Sequence, residues 1–273
     1  MKEIEKVEPL PSILHDKLLR FFKEYSYTGG MPEVILEYIA SEDFNRIKTI
    51  QKNILEAYRL DFAKHAAASI IMKINQVWDI IPSQLARENK KFIYSAIQKG
   101  ARAQEFEAAI QWLTEAGLIH KVYNTSTPKL PLSAHVHHDS FKIYLADAGL
   151  LGAMTGLSAK SIIYGNEIFQ EFRGALTENY VAQELVRQGH PLFYWTSAGQ
   201  AELDFILQIQ DTIYPLEVKS GTSTKKKSLK TYIQKYQPNL AIRVSPMNLK
   251  LDGAILNCPL YLIEKLNHLI ANC

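Results

Sequence analysis

The chain has 273 residues, 47% hydrophobic and 22% charged, a balance that supports a folded core and excludes a largely disordered protein. Its formal net charge of +3 is too small to name a partner, and two cysteines, Cys258 and Cys273, are too few for a disulfide framework. The opening MKEIEKVEPLPS lacks the apolar core of a secretory leader and no long apolar run follows, so a cytoplasmic protein with no membrane partner is expected.

The first quarter reads as helical. SILHDKLLRFFKEYSY sets Leu14, Leu18, Phe21 and Phe22 on one stripe, and MPEVILEYIA and FNRIKTIQKNILEAYRLDFAKHAAA continue the helical period. Pro32 suits the first turn of a helix. Gly29-Gly30 suits the turn before it better than a phosphate cradle, and no G-x-x-x-x-G-K-[ST], C-x-x-C, H-E-x-x-H or G-x-S-x-G occurs.

From about Ile74 to Met154 the pattern changes. IPSQLARE predicts a short helix begun by Pro82 and Ser83. ARAQEFEAAIQWLTEAG predicts an amphipathic helix with Phe106, Ile110 and Leu113 inward and Gly117 as its stop. LIHKVYN, a proline-containing loop and FKIYLAD complete a winged helix-turn-helix order, a motif that often enters DNA. Glu105, Glu107 and Glu115 against Arg102 would repel phosphate, so a protein-packing role competes with DNA reading there. His135, His137 and His138, in a polar loop without further ligands at fixed spacing, are expected to be exposed rather than metal-bound. Trp78, Trp112 and Trp195 are expected in or near the core, and Cys258 as a small packing residue.

The last part predicts helix, three strands, helix and strand: IFQEFRGALTENYVAQELVRQG, LFYWTS, AELDFILQIQ, TIYPLEVKS, KKKSLKTYIQKYQ and LAIRVS. A strand (AILNC) and a helix (PLYLIEKLNHLI) follow. The expected fold class is therefore α+β, with a helical segment over 1–73, a winged-helix-like part over 74–160 and an α/β part over 161–273.

The chemistry lies in ELDFILQIQDTIYPLEVKSG. A turn at Gln210-Asp211 would pair Leu207 with Tyr214, Phe205 with Leu216 and Leu203 with Val218 on one apolar face. The other face would carry Asp204 opposite Glu217, with Lys219 two residues on. Facing carboxylates repel unless a cation lies between them. Mg²⁺ accepts one or two carboxylates together with water and phosphate oxygens, and Lys219 could add positive charge to the same transition state. In TENYVAQEL, Glu178 shares a stripe with Val181, Ala182 and Leu185 and so calls for a partner, whereas Glu184 lies off that stripe and is expected to be solvated. From Pro215 to Arg243, seven basic residues (Lys219, Lys225, Lys226, Lys227, Lys230, Lys235 and Arg243) stand against Glu217 alone, a local +6 that suits a polyanion. Lys225, Lys226, Lys227 and Lys230 are the candidate nucleic-acid contacts, with a solvated helix start as the plainer alternative.

These residues resemble the PD-(D/E)XK nuclease superfamily. The resemblance implies a restriction-endonuclease-like α/β domain in which Glu178, Asp204 and Glu217 hold a metal and Lys219 is catalytic. Leu203 stands where the motif's proline would be. Along nearly the whole chain, YTGGMPEVI, ILEAYRLDFAKHA, the IPSQLARE-to-AGLI stretch, FKIYLADAGLL, GALTENYVAQEL, AELDFIL and EVKSG resemble the region after the ATPase module in a large prokaryotic family of AAA-type ATPases, a region usually called a domain of unknown function. That implies ATP use only through an ATPase module absent here, with nucleic acid or a partner protein bound by this part. An inactive salt-bridge cluster in an interaction module is the competing reading of the same acids.

Overall fold

A computed structural model describes residues 7–164, 170–197, 201–221 and 227–273. The front of the chain forms the helices its apolar spacing predicts: α1 (Ser12–Thr28), α2 (Pro32–Ser41), α3 (Phe44–His65) and α4 (Ala68–Leu85). Pro32 opens α2, where its missing N–H removes no helical bond. Asp43 caps α3 by accepting from the Asn45 and Arg46 N–H groups. Two expectations fail here. The helix expected to begin at Pro82 is the end of α4, which carries the proline within its last turn, where Pro82 has no N–H to donate to the Trp78 carbonyl; Ser83 Oγ donates back to Ile80 O at 2.9 Å. The stripe expected to anchor α1 leaves Leu14 41% and Phe21 45% exposed, with Lys17 and Arg20 lying over the Phe21 ring.

The chain divides into two compact units that alternate along the sequence: residues 23–121 and 142–183 form one, residues 1–22, 122–141 and 184–273 the other. The first is helical. It adds α5 (Ala103–Glu115), α6 (Ala148–Met154), α7 (Ala159–Tyr164) and most of α8 (Gln170–Arg187). Phe62 sits edge-to-face with both Trp78 and Trp112, each at 5.5 Å, and the inward residues predicted for α5, Phe106, Ile110 and Leu113, are buried. The turn at Gly29 needs its glycine twice over: φ is +71°, and an added Cβ would lie 2.2 Å from Asp147 Oδ1. Gly30 N–H donates to Asp147 Oδ2 at 2.7 Å while Asp147 Oδ1 caps α6 through Leu150 N–H, so one carboxylate ties two distant segments. Burial pushes the Asp147 carboxyl above its ordinary value, against the pull of those amides.

The second unit is built on an eight-stranded sheet of β1 (Ile119–Thr125), β2 (His137–Leu145), β3 (Phe193–Ser197), β4 (Ala201–Ile209), β5 (Thr212–Val218), β6 (Ala241–Ser245), β7 (Lys250–Asp252) and β8 (Ile255–Pro259), in the order β2-β1-β3-β4-β5-β6-β8-β7. β3, β4 and β5 form an antiparallel meander; β6 and β8 continue parallel to β5. The helix α9 (Lys227–Tyr236) makes the crossover between β5 and β6, so the expected order of helix, three strands, helix and strand is realised as α8-β3-β4-β5-α9-β6. Leu229 and Tyr232 of α9 pack with Trp195, Leu203 and Ile206 in the core. The chain is an α+β protein with a helical front and a C-terminal mixed sheet. The strand pair expected to form a free-standing wing instead joins that sheet, β1 running parallel to β3 and β2 lying beside β1. β7, which the sequence did not announce, closes the other edge against β8, and the helix expected over PLYLIEKLNHLI is a 3-10 turn leading into α10 (Leu266–Ala271). Among the described residues no helix is long and apolar enough to cross a membrane.

Candidate functional site

The hairpin that carries the acids has the predicted register over its outer part. Leu207 pairs with Tyr214 and Phe205 with Leu216. Nearer the open end a β-bulge intervenes. Against β3, Phe193 pairs with Ile206 but Trp195 pairs with Leu203, so Asp204 and Phe205 together face Tyr194. The bulge breaks the expected alternation: Leu203 packs in the same core cluster as Ile206, rather than sharing a face with Phe205 and Leu207.

That local kink sets the acids. Asp204, half-buried, accepts the Val218 N–H on Oδ2 at 2.7 Å, a side chain taking the place of a strand carbonyl. Glu217 is buried at 4% exposure. Its Oε1 meets Lys219 Nζ at 2.7 Å, as expected for residues two apart on one strand face, while Oε2 is buried with no hydrogen-bond partner among the described residues. Lys219 N–H donates to Val244 O at 2.8 Å, extending the parallel ladder and fixing the lysine beside the acid. Asp204, Glu217 and Lys219 therefore gather at one end of the β4–β5 pair. A single unpartnered carboxylate oxygen away from water is costly, and a cation is the simplest group to satisfy it.

The register carries further across the sheet. Glu217 pairs with Arg243, Arg243 with Asn257, and Lys250 with Asn257, giving a row of acid, guanidinium, amide and ammonium over β5, β6, β8 and β7. Arg243, counted in sequence among seven basic residues suited to a polyanion, is only 4% exposed, and its Nε and Nη2 have no hydrogen-bond partner among the described residues. Its place in the apolar run LAIRVS was the signal that could have marked it out.

Glu178 lies in the helical unit, and the other three residues lie in the sheet unit. There its carboxylate pairs with Lys90 and accepts from Tyr144 OH at 3.2 Å, which supplies the partner its apolar stripe demanded. The neighbouring Asn179 amide brackets the Leu145 backbone, accepting its N–H at 2.7 Å and donating to its carbonyl at 2.9 Å. Glu184, expected to be solvated, is buried at 7% exposure. Arg187 one turn on reaches it with Nε and Nη2, both at 2.9 Å, and neutralises it.

Lys227 and Lys230 are exposed on the first turns of α9, a helix with no acidic side chain. Lys225 and Lys226 lie outside the described residues. His137 and His138 are exposed and His135 is half-buried. Cys258 is fully buried, and burial pushes its thiol well above the ordinary range. Among the described residues no three His, Cys, Asp or Glu side chains converge on one metal-sized position, so the sheet offers two carboxylates rather than a closed cage.

The fold and site define an α+β protein with a carboxylate–lysine cluster at the end of a mixed-sheet hairpin. The chain belongs to the family described as Domain of unknown function (DUF8612), whose model matches residues 19–161. Residues 173–261, which include the hairpin, match a second model, Domain of unknown function (DUF4143). No curated protein and no solved structure matches the chain.

Proposed function

We propose that the sheet unit is a nuclease-like module that binds nucleic acid and cleaves its phosphodiester backbone with Mg²⁺, as the accessory portion of an AAA-type ATPase. The observation that carries the reading is the buried, unpartnered Oε2 of Glu217 on a hairpin that also presents Asp204 and Lys219. The meander, crossover helix and parallel strand around it support a likeness to the PD-(D/E)XK superfamily. Asp204 and Glu217 would hold the ion, whose chemistry is to polarise a phosphoryl oxygen and acidify a bound water. Lys219, already held beside Glu217, would place its ammonium near the developing negative charge. Lys227 and Lys230 on α9 would draw in the strand, with Lys225 and Lys226 extending the patch in sequence. ATP would act only through an ATPase module, since this chain holds no P-loop.

A second reading has its own observation. Lys219 pairs with Glu217 and Lys90 with Glu178, so two of the three acids have an internal cation, as in an interaction module that docks an ATPase on a partner protein. Calorimetric titration of Mn²⁺ separates the two. Saturable binding to the wild type that is lost in Asp204→Ala supports the nuclease reading. A flat titration of the wild type favours the docking module.

A further inference from the structure

Beside Arg243 the sheet unit forms an open cleft of about 470 Å³, within the range of small-molecule sites and larger than a lone ion requires. Arg243 lines it, nine-tenths and more buried, with Nε and Nη2 lacking any hydrogen-bond partner among the described residues. The amides that could have served these donors are committed elsewhere. Asn257 Oδ1 accepts from Ser245 Oγ at 2.7 Å, and its Nδ2 donates to the carbonyls of Met247 and Asn248. Asn248 clasps both backbone groups of Leu10 and accepts the Leu249 N–H. The wall is thus built from satisfied amides around one unsatisfied guanidinium. Buried N–H donors left unmade are costly even with the Glu217 carboxylate on the neighbouring strand, and a fork of N–H donors is shaped for an oxyanion.

Charge and lining narrow the ligand. Lys250 pairs in register with Asn257, as Arg243 does from the opposite side, so two cations flank the same amide, with Lys250 exposed at the rim. Two positive charges suit a phosphate monoester better than a single carboxylate. Asp252, also lining the cleft, and Glu217, the register neighbour of Arg243, oppose a longer polyanion. Met247, Leu249 and Ile255 offer apolar wall for an organic group. We infer that this cleft binds the phosphate group of a small, nucleotide-sized monophosphate through Arg243 and Lys250. The inference does not rest on the metal reading of Asp204 and Glu217.

The test is calorimetry on the full chain in EDTA, with inorganic phosphate, adenosine 5′-monophosphate and a short single-stranded oligonucleotide as probes. The expected result is one-site binding of the monophosphate, tighter than inorganic phosphate. Arg243→Met should weaken it by about tenfold or more, and Arg243→Lys, which keeps the charge and loses the fork, by less. Should Arg243→Met not fold, the exposed Lys250→Ala is expected to weaken the monophosphate and Asp252→Asn to tighten it. No saturable binding of phosphate or monophosphate overturns the inference, as does binding that neither Arg243→Met nor Lys250→Ala changes. An oligonucleotide that binds more tightly than the monophosphate, and loses affinity in the same variants, overturns the small-molecule assignment in favour of a backbone phosphate.

Discussion

Glu217 shows how one buried oxygen can carry a functional argument. With Oε1 on Lys219 and Oε2 unpartnered, removing the charge separates structure from chemistry. Glu217→Gln is expected to leave the fold intact, because Lys219 is partly exposed and can rehydrate, while metal-dependent cleavage of a labelled oligonucleotide falls by about 10² or more. Two histidines set an acid limit on stability. Desolvation lowers the pKa values of His120 and His190 from the ordinary 6.5. The unfolded chain takes up those protons first, so their contribution is fully present above pH 6.5 and is lost as the pH falls through the lowered folded values. Urea midpoints should therefore drop on acidification through that window, and His120→Gln should flatten the slope. At this scale Asp204, Glu217 and Lys219 were legible, because three charges interrupt apolar strands. Arg243 interrupts LAIRVS in the same way, but the cleft it lines was not legible, because its other walls come from Pro9 and from residues between 247 and 257, which no local pattern ties to it.

Among the elements, the strands and their order could be read from alternation and turn residues, and the register from the positions of apolar side chains. The bulge in β4 could not. ELDFIL is consistent with either regular alternation or a two-residue kink, and only packing of Leu203 and Ile206 against α9 selects the second. Proline misled at Pro82 because its preference for a first turn is local, whereas here the helix from Ala68 runs on through it despite the lost hydrogen bond. Two predictions belong to elements. The exposed start of α9 should contact the nucleic-acid backbone, so Lys227→Glu with Lys230→Glu is expected to weaken oligonucleotide binding and reduce the log–log salt slope by about two; an unchanged slope would remove α9 from the interface. The turn before α2 is held by Asp147, so Gly29→Ala, which meets both a positive φ and a carboxylate oxygen, should cost about 2–4 kcal/mol in urea unfolding.

For the whole molecule, the sequence suggested segments following one another, whereas the compact units alternate along the chain. The reason is physical: sheet pairing joins residues remote in sequence, and periodicity reports only local structure. One consequence is practical. Residues 161–273 expressed alone would lack β1, which lies between β3 and β2, and would bare the β3 edge. That fragment should be insoluble or aggregate on size-exclusion chromatography, whereas the full chain should not. Asn248 holds both backbone groups of Leu10 across a separation of 238 residues. On a ribosome, Leu10 emerges early and must wait for almost the entire polypeptide before its clasp exists, so the sheet unit completes late and by slow, long-range closure. In pulsed hydrogen exchange during refolding, the amide of Leu10 should be among the last to gain protection, well after those of α3 and α4.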